Sequence, residues 1–337
     1  MKAILLSLSF LLLSLNIFAS SNHDEKDLQE QSIGHGLAIE GKEMFGKISL
    51  TFDDGPHPII TQKILDVMNI YSDKLEEQGK SRIRATFFIN GKQVANYKYH
   101  QTNKYAYELV STIESRMSIV QKIVDAGHIL ANHSVSHTSL TASFMDSSPL
   151  ILQNEIKLTH DAVDFMMPDL RECKNKWFFR APYGGWRSQN AGDANAEKDV
   201  VQKYVGPLFW DIGGRVTYYS NSTVPNNAAD WECKSLGKSP QFCARGYLNR
   251  TYRSKIIQGG ITLMHDVQSI TPELLTYALR VWTGVNPFKT TSETYKELEK
   301  FVTDYKFENI KPMQIIGLDE VKEFNKYDKR FTEGYCQ

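Results

Sequence analysis

Short β-rich apolar runs alternate with amphipathic stretches along most of this chain, and that alternation limits its fold more than any other feature. Lys47-Ile48-Ser49-Leu50-Thr51-Phe52 alternates polar and apolar residues and reads as a strand. Asp53-Asp54-Gly55-Pro56 then forces a turn. From Thr61 to Met68, residues Ile64, Leu65, Val67 and Met68 are spaced for a helix, with Thr61 as its expected cap. Arg84 to Ile89 is a second strand. Tyr105 to Ala126 is expected to be mostly helical, with Ile119, Val120, Ile123 and Val124 on one face and Gly127 as its stop. His128 to Asn132 supplies a third strand. Further helices are expected over Leu150 to Met166, Asp199 to Tyr204, Thr271 to Trp282 and Tyr295 to Tyr305. Further strands are expected over Trp177 to Arg180, Pro207 to Trp210, Ile261 to His265 and Met313 to Ile316. Such a pattern builds an α/β fold: a mostly parallel sheet wrapped by helices, either open or closed into a (β/α) barrel.

The 337 residues, 41% of them hydrophobic, can bury one large core or two modest ones. Lys+Arg and Asp+Glu both number 39, so no basic excess marks a nucleic-acid partner. Met1-Lys2 followed by the apolar run Ala3 to Leu15 and a small residue at Ala19 has the pattern of an export signal over residues 1–19. The charged stretch after it reads as a linker to residue 43, leaving one catalytic domain over 44–337. No other stretch reaches the ~20 apolar residues of a membrane span, so stable membrane insertion is not expected once the signal is removed. Export, periplasmic or secreted, would place Cys173, Cys233, Cys243 and Cys336 where disulfides persist. Cys233 with Cys243 would staple the loop containing Gly237 and Pro240, and Cys173 with Cys336 would tie down the C-terminus, although four cysteines allow other pairings.

In α/β folds of this kind, functional side chains gather at the C-terminal ends of strands. The unusual polar residues fall there repeatedly: Asp53-Asp54, then His133 and His137, then Arg180, then Asp211, then His265-Asp266. His133-Ser134-Val135-Ser136-His137 can put two imidazoles on one ion, although such a pair is as often a plain hydrogen-bonding pair. With Asp54 it makes a two-His, one-carboxylate set, which leaves positions open for water and substrate.

At these residues the chain resembles the polysaccharide deacetylases, the carbohydrate esterases built on the NodB homology domain. Thr51-Phe52-Asp53-Asp54-Gly55-Pro56, His133-Ser134-Val135-Ser136-His137, Arg180-Ala181-Pro182-Tyr183-Gly184 and Leu263-Met264-His265-Asp266 are similar to four of that family's motifs, in family order. The resemblance implies a distorted (β/α) barrel of the polysaccharide deacetylase type and removal of acetyl groups from a sugar polymer. It implies that Asp54, His133 and His137 bind one divalent metal ion, zinc first among the candidates. Asp53 would be the general base and Arg180 would orient it. The backbone N–H of Tyr183 would help hold the oxyanion, Leu263 would line the acetyl pocket, and His265 would be the general acid.

The sequence departs from the family between Trp210-Asp211 and Asp230-Trp231, where an enlarged loop over 211–245 intervenes. Asp230 is the expected partner of His265, with Asp211 as runner-up. Tyr218, Tyr219 and Trp231 could stack on sugar rings. The stretch Asn96 to Arg116 is also long and is expected to present a solvated helix face. Asn221-Ser222-Thr223 and Asn249-Arg250-Thr251 fit glycosylation acceptors. The expected substrate is a cell-wall glycan, peptidoglycan N-acetylglucosamine before chitin oligomers or acetylated xylan. A glycan-binding protein that keeps the fold without turnover is the rival reading, and no protein partner is implied.

Overall fold

The computed structural model describes residues 44–100, 103–140, 149–166, 177–185, 204–205, 208–253 and 259–321. The export-signal and linker expectations over 1–43, and Cys173 and Cys336, lie outside these residues. The first half runs β1 (Lys47–Asp53), α1 (Ile60–Glu76), β2 (Ala85–Ile89), α2 (Gly91–Val94), β3 (Ala95–His100), β4 (Asn103–Thr112), α3 (Glu114–Asp125), β5 (Ile129–Asn132) and α4 (Pro149–Met166). The second half runs β6 (Trp177–Phe179), β7 (Tyr204–Val205), β8 (Thr217–Tyr218), β9 (Pro225–Asn227), α5 (Asp230–Ser235) and α6 (Pro240–Arg253). It ends with β10 (Gly259–Ile261), β11 (Met264–His265), α7 (Thr271–Thr283), α8 (Glu293–Asp304) and β12 (Gln314–Ile315). Among the described residues, no helix is long and apolar enough to cross a membrane.

The main sheet is parallel, in the order β10-β1-β2-β5-β6-β7, with β11 and β12 also on β1. Lys47 pairs with both Gly259 and Gln314, so β12 takes the start of the edge that β2 occupies from Leu50 onward. Past β7, the Leu208 N–H donates to Phe179 O, and Ile212 bridges Thr262 in parallel. Segment 208–212 therefore links the β6 side of the sheet to the β10–β11 side. The expected α/β class holds, and the ring closes on one bridge rather than a full ladder, which is the distortion of this barrel.

Side-chain alternation assigns the two faces of β1. Ile48, Leu50 and Phe52 pack outward into the large core beneath the helices. Ser49, Thr51 and Asp53 are buried on the opposite face, inside the ring. The interior also holds a smaller cluster that includes Phe88, Ala131, Phe178, Leu208 and Ile261. In the helical layer α1 buries Ile64, Leu65, Met68 and Tyr71, each large apolar side chain contributing about 1.5–3 kcal/mol. The Tyr71 hydroxyl donates to Thr276 O on α7 at 2.8 Å and locks the two helices together.

Five local expectations need correction. Tyr105 to Ala126 is not one helix: its first part is strand β4, paired antiparallel with β3, and α3 begins only at Glu114. The Asn96 to Arg116 stretch is thus mostly a hairpin, where Leu109 is half-buried and Val110 exposed in strand alternation. Thr61 lies inside α1 rather than capping it; His57 Nδ1 accepts the N–H groups of Ile59 and Ile60 instead. Tyr204 begins a strand paired with Trp177, while the rest of the helix expected from Asp199 lies outside the described residues. The Asn249 acceptor is buried within α6 and donates to Pro225 O, so it is not open to glycosylation in the folded chain.

Candidate active site

Strand geometry delivers two carboxylates with different surroundings. Asp53 keeps the extended path of β1 and points into the ring. Asp54 turns out of it at φ 75°. Gly55 is required next, because a Cβ there would fall on the Asp266 carboxylate. That carboxylate accepts the Thr61 hydroxyl at 2.6 Å. Asp54, Ser134, His137 and Tyr183 all have left-handed backbone, and each lies in one of the expected motifs. Left-handed backbone at non-glycine residues is uncommon and concentrates at functional sites.

Asp54 Oδ1 lies 3.1 Å from His137 Nε2 and 3.4 Å from His133 Nε2. The three ligand atoms all fall within 4.8 Å of one another. Asp54 Oδ1 is buried and accepts no hydrogen bond of normal geometry, so it faces only the two imidazoles. His133 Nδ1 contacts Arg180 O at 2.9 Å, which fixes that nitrogen as the N–H and leaves the Nε2 lone pair toward Asp54. Burial alone would raise the Asp54 pKa, but the His133 ring, followed by His137 and His265, holds the carboxyl well below the usual range. Burial disfavours charge on both rings; Asp53 and Asp54 outweigh it at His133, whose pKa is raised, and do not at His137, whose pKa is lowered. An orphaned carboxylate oxygen facing two imidazoles, one oriented by a backbone carbonyl, suits a divalent cation such as zinc.

Supporting residues set the His loop. Glu155 on α4 is fully buried and accepts the Ser136 N–H at 2.9 Å and the Ser136 hydroxyl at 2.5 Å. Asn132 Oδ1 accepts the Ser134 N–H at 2.9 Å. Sequence reasoning missed Glu155, and mid-helix acidic residues give no signal of such a role.

Asp53 Oδ1 accepts from Arg180 Nη1 at 2.7 Å, and the same nitrogen reaches Thr51 Oγ1 at 2.7 Å. Arg180 is fully buried, with Nε on Leu208 O and its guanidinium 4.2 Å from the centre of the Phe88 ring. It has no room to leave Asp53. The other Asp53 oxygen is 3.6 Å from His133 Nε2, at the edge of the ligand group.

His265, at the end of β11, forms the second pair. Its Nδ1 lies 2.7 Å from Asp230 Oδ1, and its backbone N–H donates to Asp230 Oδ2 at 2.6 Å. Thr271 Oγ1 donates to the same oxygen at 2.7 Å. Asp230, the expected partner, is therefore the partner, while Asp211 accepts the Ile261 N–H instead. Asp211 lies against Gly260, where any Cβ would meet its carboxylate. Burial opposes charge on His265, but Asp230 overrides it and lifts the imidazolium pKa to about 9.

The enlarged loop folds as the β8–β9 hairpin and α5, and Cys233 on α5 is disulfide-bonded to Cys243 on α6 as expected. Trp231 is 40% exposed and anchors its Nε1 on Gly214 O at 3.2 Å. Tyr183, in a short 3₁₀ turn behind Pro182, is exposed and sets its ring edge-on to His137. Asp53, Asp54, His133, His137, Tyr183, Trp231, Leu263 and His265 line one cleft of about 770 Å³. Tyr218 is exposed and packs against Phe242; neither Tyr218 nor Tyr219 is among the residues lining that cleft.

Residues 41–199 match the family model described as polysaccharide deacetylase. A chitooligosaccharide deacetylase of Rhizobium leguminosarum bv. trifolii is 30% identical over 174 residues, 50% of this chain and 58% of that protein. The corresponding enzyme of Rhizobium leguminosarum bv. phaseoli is 29% identical, over 49% of this chain and 57% of that protein. The chain thus spans under two thirds of the length of these curated relatives. A peptidoglycan-N-acetylglucosamine deacetylase of Bacillus cereus is 25% identical over 77% of this chain and 74% of that protein. Among solved structures, a peptidoglycan deacetylase from Bacillus subtilis superposes with a TM-score of 0.45 at 18% identity, covering 86% of this chain and 94% of that one.

Proposed function

We propose that this chain, whose residues 41–199 match the polysaccharide deacetylase family model, hydrolyses acetyl groups from an N-acetylated polysaccharide, with peptidoglycan N-acetylglucosamine as substrate. The carrying observation is that Asp53 and His265, held from behind by the buried Arg180 and Asp230, line one cleft together with Asp54, His133 and His137.

Asp54, His133 and His137 would hold the divalent metal ion. Bound there, such an ion supplies Lewis acidity, polarising a carbonyl and making water more acidic. Asp53 takes the proton of the attacking water, and Arg180 keeps its second oxygen occupied so that one basic oxygen faces the cleft. The Tyr183 amide donates to the oxygen on which charge develops, a contribution of about 3 kcal/mol for one such donor. Leu263 offers an apolar wall to the acetyl methyl. The amine is a poor leaving group until protonated, and His265, held charged by Asp230, delivers that proton. Trp231 gives the sugar ring an aromatic face.

Peptidoglycan is favoured by the Bacillus cereus relative, whose similarity reaches across most of both chains. The Rhizobium relatives, more similar over a shorter stretch, favour chitooligosaccharide as the second reading. We place the protein outside the cytoplasm, periplasmic or secreted; the pattern of residues 1–19 and the Cys233–Cys243 bond support that reading. Acetate release from purified peptidoglycan and from chitopentaose decides between the substrates. Faster release from peptidoglycan is expected; release from chitopentaose alone would reverse the order, and release from neither would remove the proposal.

A further inference from the structure

Two arginines line the same cleft without belonging to any of the expected motifs: Arg215 and Arg250. Arg215 follows the Gly213-Gly214 pair at the base of the β8–β9 hairpin and is exposed. It has no ion-pair partner among the described residues. Glu232, whose carboxylate comes close in this region, is already taken by the Val216 N–H. Arg250 comes from α6, is half-buried, and is fixed by donating Nε to the Asp211 carbonyl oxygen at 3.1 Å.

The acidic groups of the cleft leave both arginines available. Asp53 is engaged by Arg180, Asp54 by the two imidazoles, and Asp230 by His265. Among the described residues, Asp211 is a carboxylate in electrostatic reach of Arg250. Its Oδ2 accepts the Ile261 N–H, and Arg250 Nε donates to the Asp211 backbone carbonyl rather than to that carboxylate. Trp231, hydrogen-bonded to Gly214 beside Arg215, supplies a ring face where a sugar can lie. Guanidinium groups bind carboxylates through paired N–H donors, a geometry that neutral hydroxyls cannot match.

We propose that Arg215 and Arg250 form a subsite for a carboxylate carried by a sugar of the glycan, so that the preferred polymer is acidic. The inference rests on the deacetylase reading for the polymer's identity but not for its own test. The carboxylate can be a hexuronate or a lactyl ether. Both present the same group to the arginines, and they differ in its distance from the ring.

The test measures binding by isothermal titration calorimetry, with acetate release followed in parallel. The ligands are an alternating N-acetylglucosamine–glucuronate oligosaccharide and a peptide-free glycan strand with free lactyl groups. Each is compared with the same material after its carboxyls are reduced to alcohols. A Kd at least about tenfold lower for the carboxylate form, in either series, is expected, equivalent to ~1.4 kcal/mol. The series with the larger ratio identifies the source of the carboxylate. The ratio should fall toward one in Arg215→Gln and should shrink as salt rises. Arg250→Gln should do the same, with circular dichroism confirming its fold. Equal affinity for carboxylate and alcohol forms in both series, or a ratio that survives in Arg215→Gln, would overturn the proposal. Binding with the expected ratio but no acetate from any glycan would overturn the deacetylase reading and leave the subsite standing.

Discussion

Replacing Asp230 by Asn tests the acid half of the site. Asp230 is completely buried and accepts from His265 Nδ1, the His265 N–H and Thr271 Oγ1, and its charge lifts His265 to about 9 against a burial effect of opposite sign. Asn fills nearly the same space without the charge, so burial is then opposed only by the smaller effects of Asp54 and Asp53, and the imidazolium pKa should fall toward 6.5. The interval from 6.5 to about 9 corresponds to ~3 kcal/mol at ~1.4 kcal/mol per pH unit. Because the folded pKa is raised, this stabilisation is full below pH 6.5 and is lost as pH rises through about 9. At about pH 7.5 the wild-type ring is almost wholly protonated, whereas a pKa of 6.5 leaves roughly a tenth of it charged. The loss in kcat/KM from protonation state alone is therefore about tenfold at that pH. The assay is acetate release from chitopentaose across pH 5–10. Wild type should lose activity on an alkaline limb near pH 9, and Asp230→Asn should move that limb below pH 7. A limb that stays at pH 9 in the variant would refute the assignment of His265 and Asp230.

Two further perturbations address the rest of the site. Arg180→Ala leaves Asp53 and Thr51 buried without their donor, and should cost about 3–5 kcal/mol of stability, read as a lower melting temperature together with loss of acetate release. Glu155→Ala removes both acceptors of Ser136 and should weaken metal affinity about 10- to 100-fold, measured by competition with a chromogenic chelator, with a circular dichroism spectrum like wild type.

The barrel was legible in the sequence where its physics is local. Lys47 to Phe52 shows the two-residue period of a strand, and the structure sorts its apolar residues outward and Ser49, Thr51 and Asp53 inward. The site was legible because strand ends carry it: Asp53, Asp54, His133, Arg180 and His265 all follow apolar runs, and the structure brings the two Asp and two His to one cleft with Arg180 buried behind Asp53. Non-local pairing was not legible. Residues 105–112, Tyr105-Ala106-Tyr107-Glu108-Leu109-Val110-Ser111-Thr112, run straight into a helical stretch, and only pairing with β3 decides that they form a strand. The family resemblance favours Asp230 over Asp211 as the partner of His265, because Asp-Trp is the family pairing, yet what settles it is the return of α5 against β11. The support of the His loop by Glu155 depends on α4 crossing behind it, which nothing near Glu155 in the sequence announces.

The proposed deacetylation depends on one ion held by Asp54, His133 and His137. The direct measurement is acetate release by metal-stripped protein as a divalent cation is added in known equivalents. Stripped protein should release no acetate, release should rise to a break at one ion per chain, and His137→Ala should show no rise. Full release by protein shown to contain no metal, or a break that His137→Ala leaves in place, would contradict that dependence.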